Sequence, residues 1–168
     1  LPLSELLARM QRAGIEVDGP ELERVEADFQ ARLDALEAEV HGIAGRPFNL
    51  RSTKQLAQVL FEELGLPVVK RTRTGYSTDA EVLERLARDH PVAAKLLEHR
   101  KLEKLINTYT RVLREAILPH TGRVHATFQQ TVGVTGRLIS TEPDLQRTPI
   151  KTPEGERIRR AFVAPAGT

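Results

Sequence analysis

Cysteine is missing from this 168-residue chain, and so is tryptophan. Without cysteine there is no disulfide, no thiolate zinc site and no cysteine nucleophile, a profile that fits a cytoplasmic protein. Five Phe and two Tyr are too few for a platform on which single-stranded bases stack. Long apolar runs are absent as well, so neither a membrane span nor a secretory leader is expected. No GxxxxGK phosphate loop, GxSxG elbow or dinucleotide glycine fingerprint occurs. The five histidines, His41, His90, His99, His120 and His125, lack metal-ligand spacing and are expected to be structural or solvated. Glu142, Asp144, Glu154 and Glu156 are expected in loops, and no pair of them can be assigned to two-metal chemistry.

What is present is ordinary for a soluble globular domain: 40% apolar and 29% charged residues, on a chain long enough to bury a core. The net charge of +2 is unevenly spread. Residues 1–40 are net −6, whereas residues 41–110 and 111–168 are each net +4. Arginine supplies 19 of the 25 cations. Its planar fork suits bidentate phosphate contact, although genomic composition alone also enriches it.

The first two thirds read as helices. Leu3, Leu6, Leu7 and Met10 form one apolar stripe. Asp18 and Glu21 make a capping box, after which Leu22, Val25, Phe29, Leu33, Leu36, Val40 and Ile43 recur every three or four residues. That predicts a helix of roughly 24 residues with acidic outer faces, read as a projecting arm. Gly45 and Pro47 end it. Ser52 and Gln55 cap a short helix carrying Leu56, Val59, Leu60 and Leu64. Lys70, Arg71 and Arg73 crowd a glycine-containing loop, Thr78 and Glu81 open another helix, and Pro91 takes the first position of the next. From Pro91 to about Leu118, Leu102, Leu105, Ile106, Tyr109, Val112, Leu113, Ala116 and Ile117 share one side. Arg100, Lys104, Asn107, Arg111 and Arg114 share the other, within an arc of about 80°. Such a stripe serves either as a solvated, ion-paired face or as a track for a duplex backbone.

Beyond the helix, Val124, Ala126, Phe128 and Gln130 alternate with polar neighbours, and Ile158 to Pro165 alternates likewise, so both are predicted as strands. The expected fold is α+β, mainly a helical arm followed by the edge strands of a small antiparallel sheet.

Residues 131–165, TVGVTGRLISTEPDLQRTPIKTPEGERIRRAFVAP, resemble the palm segment of family A DNA polymerases, whose usual form runs TGRLSS, two variable residues, PNLQNIP, a basic residue and a G..IR.AF strand. GRPFNLRSTKQLAQVLFEELGLP, STDAEVLERLA and HPVAAKLLEHRKLEKLINTYT resemble the thumb of that family, and MQRAGIEVD its first thumb-side helix. The likeness covers essentially the whole chain. It implies a thumb-like region over residues 1–118 and the beginning of a palm-like sheet over 119–168, stopping before the strand with a metal-binding aspartate. It implies the primer-template-binding part of a template-directed DNA polymerase acting in replication and repair. Double-stranded primer-template DNA is then the partner, with magnesium and deoxynucleoside triphosphates needed only by the complete enzyme. The chain alone is expected to bind no cofactor and to be inactive.

By the same resemblance, Arg137 and Gln146 match minor-groove contacts at the primer end, where purine N3 and pyrimidine O2 acceptors sit alike in every correct pair. Arg100, Lys104 and Thr108 match positions that hold duplex phosphates, and Ser52, Arg111 and Arg147 join them as DNA-binding candidates. Lys151, where the family commonly has arginine, is a candidate for a nucleotide or primer phosphate. This chain departs from the pattern at Asp144 and Arg147, both in place of asparagine, and at Thr148 and Ile139. A carboxylate near DNA repels phosphate unless a cation such as Arg147 neutralises it. Two alternatives use no catalysis: a stand-alone duplex-binding or helical interaction module, and a helical scaffold that never meets nucleic acid.

Overall fold

The computed structural model describes residues 2–73 and 75–164. Helix α1 (Pro2–Ala13) ends at Gly14, whose φ of +63° turns the chain into strand β1 (Ile15–Glu16). A Cβ at Gly14 would lie 2.7 Å from the His125 ring, so only glycine fits. Helix α2 (Gly19–Ala44) starts where the Glu21 N–H donates to Asp18 Oδ1 at 2.9 Å, as its capping pattern predicts. Helix α3 (Thr53–Ala57), capped by Ser52, runs into a π-helical turn over Gln58–Glu63. The basic loop is a hairpin of β2 (Arg71–Thr72) and β3 (Gly75–Tyr76).

Helix α4 (Ala80–Leu86) begins one residue later than predicted. Asp79 is the cap, its Oδ1 accepting the Val82 N–H at 2.9 Å, because Thr78 is engaged elsewhere. Helix α5 (Pro91–Leu105) does start at Pro91. It does not continue uniformly to Leu118: a π turn spans Ile106–Thr110, α6 (Arg111–Glu115) follows, and β4 (Ile117–Leu118) is extended. The extra residue of a π turn rotates everything after it. Thr110 is therefore fully buried, while Val112, predicted on the apolar side, is 38% exposed.

The strand predicted from Arg123 splits into β5 (Arg123–Val124) and β6 (Thr127–Gln129), and β7 (Ile139–Thr141) pairs with the second. The strand predicted at Ile158 is instead the end of helix α7 (Pro153–Arg160). Local chemistry overrides the alternation there: Thr152 Oγ1 accepts the Gly155 N–H, Pro153 opens the first turn, and Glu156 pairs with Arg160 at 2.8 Å. After the helix Phe162 bridges Val17, flanked by the Asp18 N–H to Ala161 carbonyl bond and the Val163 N–H to Glu16 carbonyl bond, while Pro165, the end of the predicted strand, lies outside the described residues. Glu154 and Glu156 are thus helical, not in loops.

Packing divides the chain into two units, one of residues up to Asp28 with those from Lys104 onward, the other from Phe29 to Glu103. In the first, β1, β5 and β4 form an antiparallel sheet with Val124 opposite both Ile15 and Ile117. Leu22, Val25, Leu113, Val124 and Ile158 are buried there. The stripe expected on α1 is mostly outside, with Leu3, Leu6 and Met10 about half exposed and Leu7 alone buried. In the second, Val40 joins Leu56, Val59, Leu60, Leu83, Leu86 and Leu96 in one core, whereas Ile43 is 42% exposed. No helix among the described residues is long and apolar enough to cross a membrane.

Candidate nucleic-acid interface

In the unit from Phe29 to Glu103, an open cleft of about 1170 Å³ is lined by α3, the hairpin and α5. Ser52 sits between two lining residues, Arg51 and Thr53, and its Oγ accepts the Gln55 N–H at 3.4 Å. Arg100 lines the cleft from α5. It is a half-buried latch: Nη1 donates to the Thr78 carbonyl at 2.5 Å and Nη2 to Thr78 Oγ1 at 3.4 Å. Burial lowers the Arg100 pKa, against the pull of Glu103 and Asp79. Asp79 is the hub of the hairpin base, accepting from Lys70 Nζ at 2.9 Å, Ser77 Oγ at 2.8 Å and the Val82 N–H. Those bonds, the lysine's first, push its carboxyl down to about 2. Arg71 lies over the Tyr76 ring, 5.2 Å from its centroid.

In the other unit, Lys104 and Thr108 are exposed, and Lys104 has no partner among the described residues. Arg111 donates to Asn107 Oδ1 at 2.6 Å and lies 3.7 Å from Glu26, which Arg114 also approaches to 3.3 Å. That end of the cationic stripe is ion-paired. Arg137 is exposed on the loop before β7, with no partner among the described residues. Gln146 binds the backbone beside it: Nε2 donates to the Leu138 carbonyl at 3.0 Å and Oε1 accepts the Ser140 N–H at 3.1 Å. Ser140 Oγ accepts the Leu145 N–H at 3.1 Å. Thr148 donates its hydroxyl to the Leu145 carbonyl at 3.1 Å, a bond unavailable to isoleucine.

Arg147 meets Asp144 at 3.1 Å, and Asp144 Oδ1 also accepts the Gln146 N–H at 3.0 Å. The two departures from the asparagine pattern neutralise each other. Lys151 is exposed just ahead of the α7 cap. Arg137, Gln146 and Arg147 thus share one strand-and-turn patch, and Ser52 and Arg100 flank one cleft. Sequence reasoning missed Arg51, Lys54, Asp79 and Glu103. Two cations bracketing the Ser52 cap were readable; the acids were not, because only folding brings them there.

The model of DNA polymerase family A matches residues 19–168. The chain belongs to that family. This family A chain is 49% identical over 168 residues to the thermostable DNA polymerase I of Thermus thermophilus, covering 99% of itself and 20% of that protein. It is 46% identical over 163 residues to DNA polymerase I of Bacillus subtilis, covering 97% of itself and 18% of the relative. It spans about a fifth of the length of these curated relatives. Among solved structures, it is similar to the POL domain of Pol1 from M. smegmatis in complex with DNA primer-template and dNTP. That likeness has a TM-score of 0.89 at 43% identity, over 99% of this chain and 29% of that one.

Proposed function

We propose that this family A chain is the part of a template-directed DNA polymerase that holds the primer-template duplex. The observation that carries the reading is the likeness, at 43% identity, to a polymerase domain solved with primer-template and dNTP. Exposed, unpaired cations support it: Lys104, Arg137 and Lys151 stand free among the described residues. Phosphate contacts from Ser52, Lys104, Thr108 and Lys151 position the duplex without reading bases. Arg111 reaches phosphate only by leaving Asn107 and Glu26, and Arg147 only by leaving Asp144. Arg137 reads pairing geometry from the minor groove, on a loop that Gln146 holds in place; in this account Gln146 supports the contact from beneath. Residues 1–118 are the thumb-like region and 119–168 the beginning of the palm-like sheet.

Nucleotidyl transfer by the complete enzyme uses magnesium ions. Among the described residues no three His, Asp or Glu side chains cluster. The residues present do not fit the metal, and no step of the transfer is assigned to them. Titrating a labelled primer-template with the chain over a series of salt concentrations tests the reading, and no binding at low salt ends it.

A further inference from the structure

The cleft of the Phe29–Glu103 unit holds opposing charges in close order. Arg51, Lys54 and Arg100 line it together with Glu62, Asp79 and Glu103. The guanidinium Nε of Arg51 is ion-paired with Glu103. The arginine side chain is 67% exposed and the glutamate 20%. The Arg51 side chain has no other partner among the described residues, which leaves the Nη groups of this mostly exposed guanidinium unpaired. Arg100 is different, because both its Nη groups are bound to Thr78.

We infer that Glu103 is a built-in competitor of the duplex, occupying Arg51 until a backbone phosphate displaces it. This rests on the duplex-holding function proposed above. A phosphodiester replaces a carboxylate charge for charge and offers two oxygens to the open fork. The exchange does not strand Glu103, since Arg100 stays within electrostatic reach of the released carboxylate. A mostly enclosed acid attracts its cation more strongly than one in open water, so the competition weakens binding measurably. Arg51 is thereby a phosphate ligand held in reserve, and Glu103 sets how much duplex is needed to recruit it.

The test is a duplex titration by fluorescence anisotropy at low salt, using wild type, E103Q, R51Q and the E103Q/R51Q double variant, with circular dichroism and thermal unfolding confirming that each is folded. E103Q is expected to bind about fivefold tighter than wild type, and R51Q more weakly. In the R51Q background, E103Q should confer almost none of that gain, because the competitor acts through Arg51. An equal gain in both backgrounds means Glu103 merely adds negative charge and overturns the inference, as does a wild-type affinity for E103Q. Either result leaves duplex holding intact. Failure of every variant to bind overturns both.

Discussion

The Arg147 guanidinium sits 3.1 Å from the Asp144 carboxylate, closing an i,i+3 ion pair across the turn that follows β7. The same carboxylate accepts the Gln146 N–H, so the acid both shapes the turn and anchors its neutralising cation. Exposed pairs of this kind contribute at most about 1 kcal/mol to folding. On the proposed duplex-holding function their consequence for binding is larger in proportion, because loss of one member changes the charge this turn presents.

Replacing Arg147 by alanine should weaken duplex affinity by more than the loss of one exposed cation, since it uncovers Asp144. Adding Asp144→Asn should restore much of that loss while keeping the turn, as the amide oxygen still accepts the Gln146 N–H. Affinities of the two single variants and the double variant form the cycle that measures this. Strictly additive effects would show that the pair does not matter to binding.

Gln146→Ala should lower thermal stability as well as binding. It removes two hydrogen bonds to the backbone around Ser140, together about 1–2 kcal/mol. Thermal unfolding separates the possibilities: a Gln146 that only contacts DNA would leave the melting temperature where it was.

Lys104 and Arg100 should behave differently although the family resemblance makes both of them phosphate candidates. Lys104→Ala should leave stability unchanged and make the slope of log K against log salt shallower by about 0.9, from a starting value of about −4 for four or five phosphates. Arg100→Ala should destabilise the fold by freeing the Thr78 carbonyl and helix α5 from each other. A slope change from Arg100→Ala with no loss of stability would show that the latch to Thr78 is incidental.

Acid should destabilise the Phe29–Glu103 unit in two steps. Burial lowers the pKa of His99 below its ordinary 6.5, with Glu103 and Glu37 opposing and Arg51 and Arg100 reinforcing. The unfolded chain therefore binds the proton more readily, so stability is full above about 6.5 and falls as pH drops below it. Asp79, held at about 2 against an ordinary 3.8, contributes stability that is complete above 3.8 and lost as pH falls through about 2. Urea melts of His99→Gln and Asp79→Asn across pH should each remove one step. A wild-type profile flat from pH 7 to 5 would contradict the histidine assignment.

Caps and seams were legible in the sequence because they are local. Asp18, Ser52 and Pro91 begin helices where their side chains say they should, and Leu22 to Val40 is buried at every predicted position. The alternation of Ile158 to Ala164 misled, since a Thr-Pro cap and an i,i+4 ion pair outweigh a period-two pattern that meets an extended partner only at its end, where Phe162 bridges Val17. The π turn at Ile106–Thr110 left no signature in the periodicity; the ladder shifts there so that Thr110, not Val112, is enclosed.

The amino-acid order by itself determined the family, the α+β class and the cationic candidates, because motif identity, capping and helical spacing act over a few residues. Tertiary structure alone decided which of those cations are free. Arg100 is spent on Thr78, 22 residues away, and Arg111 is drawn toward Glu26, while Lys104, Arg137 and Lys151 remain open among the described residues. A charge finds its partner through space, and the distance that sets the Coulomb energy is fixed only once the chain has folded.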